Sequence, residues 1–222
     1  MIGFVVALNN EAVCVLNNME NAKKSTLAGK PLVEGTVLGH KAALIIAGVG
    51  KVNAAMATQA LLAEYPYIDV VFNVGIAGCA NKKIPLGLVC LVNRWIQYDF
   101  DLSELDNCPL GKLNEYDSPY QYISNNYTQN IKAEYKEVTL GTADRFSNKN
   151  SHLDFLNKYE IDLCDMEGSA VAQVCKYNKT PLVILKGISD YVGEDLEGIY
   201  DRYSQIATSN LQKELAKIIT RI

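Results

Sequence analysis

Continuous apolar runs separated by amphipathic stretches organise the chain. Residues 2–8 (IGFVVAL) are apolar throughout, as in a strand covered on both faces, and Asn9 and Asn10 supply capping chemistry ahead of a helix over Glu11–Met19. A second buried strand, Ala42–Ala47, ends in Gly48-Val49-Gly50. It leads into an Ala-rich helix over Lys51–Tyr65 that is apolar almost all round, which predicts packing on several sides. Further strands are predicted at Asp69–Asn73, Leu88–Trp95, Glu137–Thr142 and Pro181–Ile188. Helices are predicted at Ser151–Lys158 and at Glu167–Asn178, the latter with Ala170, Val171, Val174 and Cys175 on one face. Leu211, Leu215, Ile218 and Ile222 recur at helical spacing and define a closing amphipathic helix. Between Asp99 and Tyr127 the pattern is polar, interrupted by Pro109 and Pro119 and weakly periodic, so it reads as a long loop with one short helix near its end. The alternation predicts an α/β fold with a largely parallel sheet, in one domain over residues 1–222.

Composition narrows the function classes. Charged residues make up 21% of the chain, and the net charge of −4 is spread without an acidic or basic block, so nucleic acid and membrane are excluded as expected partners. No apolar run approaches a membrane span, and the first residues read as a strand and not as a signal peptide. Six cysteines without a CxxC spacing fit free thiols of a cytoplasmic protein. The two histidines, His40 and His152, stand alone, which removes His-based zinc sites and Ser-His-Asp triads; no metal or cofactor is expected. Acid-base chemistry must then fall to carboxylates, lysines or tyrosines.

Gly48-Val49-Gly50-Lys51 lies where a phosphate loop would, but Ile45 and Val52 break the Walker pattern and Asn53 breaks the dinucleotide fingerprint. A tight strand-to-helix turn and a ligand-lining role are about equally supported there. Gly75, Ala77 and Gly78, after the third strand, would let a ligand or backbone approach closely. Three carboxylates stand just beyond strands or at helix starts. Glu11 would gain about 0.3–1 kcal/mol from a helix dipole, which would also keep it ionised. Asp165-Met166-Glu167 precedes a helix, where capping explains acidic residues, and Ser189-Asp190 could be turn residues. Singly each is ordinary; together they mark the end of an α/β sheet where ligands bind.

At these residues a resemblance becomes specific. IGFVVALNNE, AGVGKVNAA, DVVFNVGIAG, GTADRF, DMEGSAVAQVC and LKGISD, in this order, resemble the methylthioadenosine/adenosylhomocysteine nucleosidases of the purine nucleoside phosphorylase superfamily. The likeness spans nearly the whole chain and is weakest from Asp99 to Lys136. It implies a three-layer fold with a twisted mixed sheet, partly closed as a barrel and surrounded by helices, usually as a homodimer. The implied activity is hydrolysis of the N-glycosidic bond of 5′-substituted adenine nucleosides: methylthioadenosine, adenosylhomocysteine or 5′-deoxyadenosine. A nucleoside phosphorylase, a futalosine hydrolase and a nucleoside-sensing module are the alternatives.

By the same resemblance, Glu11 activates water, Glu167 binds the ribose hydroxyls, and Asp190, supported by Ser189, protonates the purine. Met166 would pack under the sugar, Phe146 would stack on the base, and the backbone of Ser147 would read the base edge. Val49, Ile76, Ala77 and Gly78 would line the pocket. The chemistry fits these residue types, because a neutral leaving purine needs a general acid and an oxocarbenium-like sugar needs a nearby carboxylate. The chain departs from many relatives at Asn9 and Asn10 (acidic there), Ile76 (Ser), Ser147 (aliphatic) and Lys186 (Arg). It has no GDPxR-like phosphate loop, which favours hydrolysis over phosphorolysis.

Overall fold

In the computed structural model, which describes residues 1–146, 153–194 and 198–222, every apolar run named above becomes a strand. In chain order the elements are β1 (Ile2–Val6), α1 (Asn9–Leu16), β2 (Met19–Leu27), β3 (Lys30–Val37), β4 (His40–Ile46), α2 (Lys51–Glu64), β5 (Val70–Cys79) and β6 (Val89–Gln97). There follow α3 (Ser103–Asp106), β7 (Gln121–Tyr122), α4 (Asn126–Ile131) with a 3-10 turn at Lys132–Glu134, and β8 (Lys136–Thr142). The chain ends with α5 (Leu153–Lys158), β9 (Leu163–Asp165), α6 (Gly168–Asn178), β10 (Leu182–Tyr191) and α7 (Ile199–Ile219).

The strands form one sheet in the order β10-β6-β8-β9-β5-β1-β4-β3-β2, and β10 also pairs with β5. That second pairing closes β5, β10, β6, β8 and β9 into a five-stranded barrel, while β1, β4, β3 and β2 extend from it. The sheet is mixed and not largely parallel. Pairs β1–β4, β1–β5, β5–β10, β6–β8 and β8–β9 are parallel, whereas β2–β3, β3–β4, β5–β9, β6–β7 and β6–β10 are antiparallel.

The apolar runs are continuous because both sheet faces are covered. Along β1, Ile2, Phe4 and Val6 point into the core shared with α1 and α7, while Val5 points into the one shared with α2 and α6. Val70, Phe72 and Val74 on β5 join the first core, and Val71, Ala77 and Cys79 the second. Burial of these strands on both sides contributes about 25 cal/mol per Å² of apolar surface removed from water.

Several expectations are corrected. The hairpin β2–β3 had no apolar signal because β2 is a polar edge strand, exposed along most of its length. Its turn places Ala28 and Gly29 at positive φ, a tight two-residue connection, and lysines along the edge discourage pairing with another chain. The helix α2 is buried on one side only, through Ala54, Ala57, Thr58, Leu61 and Leu62; Val52 is 78% exposed. The residues from Asp99 to Tyr127 hold α3, β7 and the start of α4, with Leu113, Tyr116 and Gln121 buried, so this is not one long loop. All six cysteines are free, and five are buried. Among the described residues no helix is long and apolar enough to cross a membrane.

Candidate active site

The parallel strands β1, β5 and β10 end on the same side of the sheet, where α/β folds place ligands. There an open cavity of ≈ 780 Å³, mouth included, is lined by Glu11, Glu167 and Asp190 together. Val49, Ile76, Ala77, Gly78, Phe146, Met166 and Ser189 line it too. Ser147 lies outside the described residues. The other residues given a site role by the resemblance therefore meet in one place.

Glu11 is the third residue of α1 and only 5% exposed. Asn9 and Asn10 are not the caps expected of them, since both already lie in the helix. The Glu11 side chain reaches back instead, so that Oε2 accepts from the Leu8 N–H (3.0 Å) and Oε1 from the Ile76 N–H (2.8 Å). The second bond ties α1 to β5, and Gly75 makes it possible: a Cβ there would stand 3.0 Å from Glu11 Cδ and closer still to Oε1. Burial pushes the Glu11 carboxyl up, outweighing the Lys186 charge and the backbone donors that pull it down. Desolvation thus works against the preference of the helix dipole for the ionised form.

Glu167 occupies the residue before α6, but Asp165 does the capping. Asp165 Oδ2 accepts from the Gly168 N–H (2.8 Å), while Oδ1 accepts from Thr142 Oγ (2.6 Å). Glu167 is thereby free to turn across to the start of α2, where its Oε1 accepts from the Gly50 N–H (2.8 Å). Gly50, at φ 100°, serves both expectations for its turn: it makes the strand-to-helix bend and presents an N–H to a site residue, while Val49 beside it lines the cavity. Glu167 is 8% exposed. Burial, with the Asp165 charge adding to it, raises its carboxyl to about 7 against the pull of Lys186 and the Gly50 N–H.

Asp190 and Ser189 belong to β10 and are not turn residues; the register of β10 against β5 slips between Ile188 and Asp190. The bulge re-aims the end of the strand. Asp190 is 3% exposed, and its Oδ1 accepts from Ser189 Oγ (2.6 Å), which also lies 3.2 Å from the Ala77 carbonyl. Burial lifts its carboxyl above the ordinary range, with the Ser189 hydroxyl opposing. Asp190 Oδ2 lies beside Gly78, whereas Glu11 lies beside Gly75. Three residues of strand separate the two glycines by roughly 10 Å, about the length of a nucleoside.

Lys186 completes the electrostatics. It is 2% exposed and its Nζ lies 2.9 Å from Asp165 Oδ2. Burial works against its charge, but Asp165, Glu11 and Glu167 together hold it protonated, above the ordinary lysine range. A buried cation surrounded by three carboxylates leaves the cavity wall short of positive charge. That suits a ligand which develops positive charge as it reacts.

The family model that matches the chain covers residues 1–222 and describes the phosphorylase superfamily. The chain belongs to this superfamily. It is 30% identical to the 5′-methylthioadenosine/S-adenosylhomocysteine nucleosidase of Bacillus subtilis (strain 168), over 100% of the chain and 99% of the relative. Identity to the enzyme of that name from Lysinibacillus sphaericus (strain C3-41) is 26%, over 100% and 99%. Among solved structures, the nucleosidase of Neisseria meningitidis in complex with methylthio-immucillin-A superposes with a TM-score of 0.92 at 25% identity, covering 100% of this chain and 99% of that one. Futalosine hydrolase of Helicobacter pylori strain 26695 superposes equally, with a TM-score of 0.92 at 22% identity and coverages of 100% and 97%. The barrel and its flanking helices are thus those of the superfamily.

Sequence reasoning placed Lys186 only as a charge that orients nearby acids, and it gave no site role to Asp165, Leu8, Arg145, Cys164, Val192 or Tyr200, which line the cavity. A signal existed for Lys186. A lysine inside the apolar run of Leu182–Ile188 must find a buried acid, and the acids at hand were those already singled out.

Proposed function

We propose that the protein is an N-glycosyl hydrolase that cleaves 5′-substituted adenine nucleosides such as methylthioadenosine, adenosylhomocysteine and 5′-deoxyadenosine. The observation that carries this reading is the convergence of Glu11, Glu167 and Asp190 on one cavity about a nucleoside long. Asp190, whose carboxyl burial lifts above the ordinary range, donates a proton to the imidazole-ring nitrogen of the purine, so the base departs neutral. As the glycosidic bond breaks, the sugar becomes oxocarbenium-like, and ionised Glu167 binds its hydroxyls and offsets its charge. Water adds to the anomeric carbon and its proton passes to Glu11. One proton has moved from Asp190 to Glu11 per turnover, and exchange with solvent resets both. Met166 supports the sugar and Phe146 stacks on the base. Ser189 orients Asp190, while Val49, Ile76, Ala77 and Gly78 shape the walls.

A panel of 5′-substituted adenosines, incubated with and without phosphate and resolved by chromatography, tests the proposal. Free adenine without added phosphate is expected. A strict phosphate requirement would make the protein a phosphorylase, and saturable binding with no base release would make it a sensing module.

The same reading includes one domain over residues 1–222, a cytoplasmic location, supported by five buried free thiols, and a homodimer. For the dimer, Val52 and Met56 of α2 and Tyr177 of α6 leave apolar surface exposed, Val52 and Tyr177 along one shared groove. Light scattering of wild type and Val52→Arg is expected to show a dimer and a monomer respectively.

A further inference from the structure

Phe146 lines the cavity, yet its side chain is 53% exposed, so packing against the protein does not fix its place. The residues just before it are held instead. At the end of β8 the Thr142 carbonyl accepts from the Tyr98 N–H (3.2 Å), and the Asp144 N–H donates to Asp99 Oδ2 (2.8 Å). The Arg145 guanidinium rests 5.1 Å from the centroid of the buried Tyr98 ring. Tyr98 and Asp99, just beyond β6, thus grip the segment that leads to Phe146.

Asp144 carries this grip to a third element. Its Oδ1 accepts from the Lys51 N–H (2.7 Å) at the start of α2, and Lys51 Nζ donates back to Asp99 Oδ1 (2.6 Å). Lys51, Asp144 and Asp99 therefore close a ring of three hydrogen bonds, each with a carboxylate as acceptor, which is the stronger class. The side chains of the Lys51–Asp99 ion pair are mostly covered. Gly50 leaves room for the ring, since a Cβ there would stand 3.1 Å from Asp144 Oδ1. The Gly50 N–H, one residue earlier, is the donor to Glu167 Oε1. Glu167 and the segment of Phe146 thus hang from consecutive amides of one helix start.

We propose that Asp99 and Asp144 are positioning residues that keep Phe146 in register with Glu167, so that base and sugar of one nucleoside are gripped together. This inference rests on the nucleosidase reading above, in which Phe146 stacks on the base and Glu167 holds the ribose hydroxyls. Neither aspartate needs to touch the substrate, and Asp99 is not among the residues that line the cavity. A change at Asp99 therefore reaches the nucleoside through Asp144 and Phe146.

The test measures kcat and KM for adenine release from 5′-methylthioadenosine in the wild type, Asp99→Ala, Asp144→Ala, Asp144→Asn, Phe146→Ala and the double variant Asp99→Ala/Phe146→Ala. Phe146→Ala is expected to raise KM about 5–100-fold, the usual worth of one base-stacking ring. Asp99→Ala and Asp144→Ala are expected to raise KM at least about fivefold with kcat within about threefold of wild type, because stacking serves ground state and transition state alike. Once Phe146 is gone, Asp99→Ala should raise KM less than about twofold further. Asp144→Asn keeps an oxygen for the Lys51 N–H, so its KM should return to within about threefold of wild type. Lys51 and Asp144 also border the groove of Val52 and Tyr177, so light scattering accompanies each assay. A wild-type KM in Asp99→Ala, an equal loss with and without Phe146, or a KM rise that follows a change of oligomeric state overturns the inference and leaves the nucleosidase reading intact. If Asp99→Ala does not fold, equal KM values in Asp144→Ala and Asp144→Asn overturn it. A wild type that releases no adenine overturns both readings.

Discussion

Gly75→Ala isolates the placement of Glu11 from its chemistry. Gly75 is not at positive φ, so alanine can adopt the backbone there without strain, and the effect must come from the added methyl group. That methyl would stand 3.0 Å from Glu11 Cδ and closer to Oε1, inside ordinary van der Waals contact, so the carboxylate must retreat. A retreat of roughly 1 Å is enough to break the 2.8 Å bond from the Ile76 N–H, leaving a buried donor unpaired at a cost of about 1–3 kcal/mol. Replacing a strand glycine returns about 0.5–1 kcal/mol by restricting the unfolded chain. The net loss of stability should then be at most about 2.5 kcal/mol by urea titration. Catalysis should suffer more, since a misplacement of about 1 Å in a reacting group costs on the order of 10²-fold in kcat. The measurement is adenine release by Gly75→Ala, alone and combined with Glu11→Ala. If the methyl acts through Glu11, it should cost little further in the Glu11→Ala background. A single mutant with more than about half the wild-type kcat, or an equal loss in both backgrounds, would show that the methyl does not act through Glu11.

Asp190→Asn preserves the size of the side chain but removes the acid proton, so kcat should fall about 10²–10⁴-fold while the unfolding midpoint stays or rises; near-normal adenine release would remove Asp190 from the mechanism. Lys186→Met strands Asp165, Glu11 and Glu167 without their buried cation and should destabilise by about 3–5 kcal/mol in urea unfolding; a loss below about 1 kcal/mol would contradict the ion-pair argument. The Glu167 carboxyl, raised from 4.5 to about 7 on folding, binds its proton more tightly in the folded state. Its contribution to stability is therefore fully present below pH 4.5 and is lost as pH rises through about 7, by at most about 3 kcal/mol. Urea midpoints between pH 4 and 8 should fall with pH in the wild type and fall less in Glu167→Gln. Equal slopes would show that Glu167 does not titrate in this window.

The fold was legible where burial left a one-sided mark on composition. The runs around Phe4, Leu44, Phe72 and Ile184 are apolar on successive positions because both faces are covered, and that pattern needs no tertiary information. The edge strand β2 could not be seen in this way. Its pairing is set by the turn at Ala28-Gly29 and by β3, while its side chains face water and carry no periodic signal. The helix α2 misled for the opposite reason: alanines look apolar on every side of a helix, yet only the side holding Ala54, Ala57 and Leu61 packs. Mixed strand direction was equally invisible to periodicity, because a buried strand reads the same in a parallel and an antiparallel pair.

The site was legible as residue types and illegible as electrostatics. Glu11, Glu167 and Asp190 could be named from their motifs, and each had an ordinary local explanation at a helix end or turn. The structure separates them from those explanations one by one. Asp165 takes the capping duty at α6, which frees Glu167 to bond across to Gly50, and the bulge in β10 places Asp190 within a strand. What no local pattern carried is the sign of the environment. The dipole at the start of α1 favours an ionised Glu11, whereas burial against Gly75 and Ile76 raises its carboxyl, and burial lifts Asp190 and Glu167 as well. Lys186, together with backbone donors, limits that rise for Glu11 and Glu167, whereas at Asp190 only the Ser189 hydroxyl opposes it. The proposed base and the proposed acid are therefore governed separately: the water and sugar end by a buried cation, the purine end by burial and one hydroxyl. One cavity can in this way hold a carboxylate to accept a proton and a carboxylic acid to supply one, which is the requirement for cleaving a glycosidic bond near neutral pH.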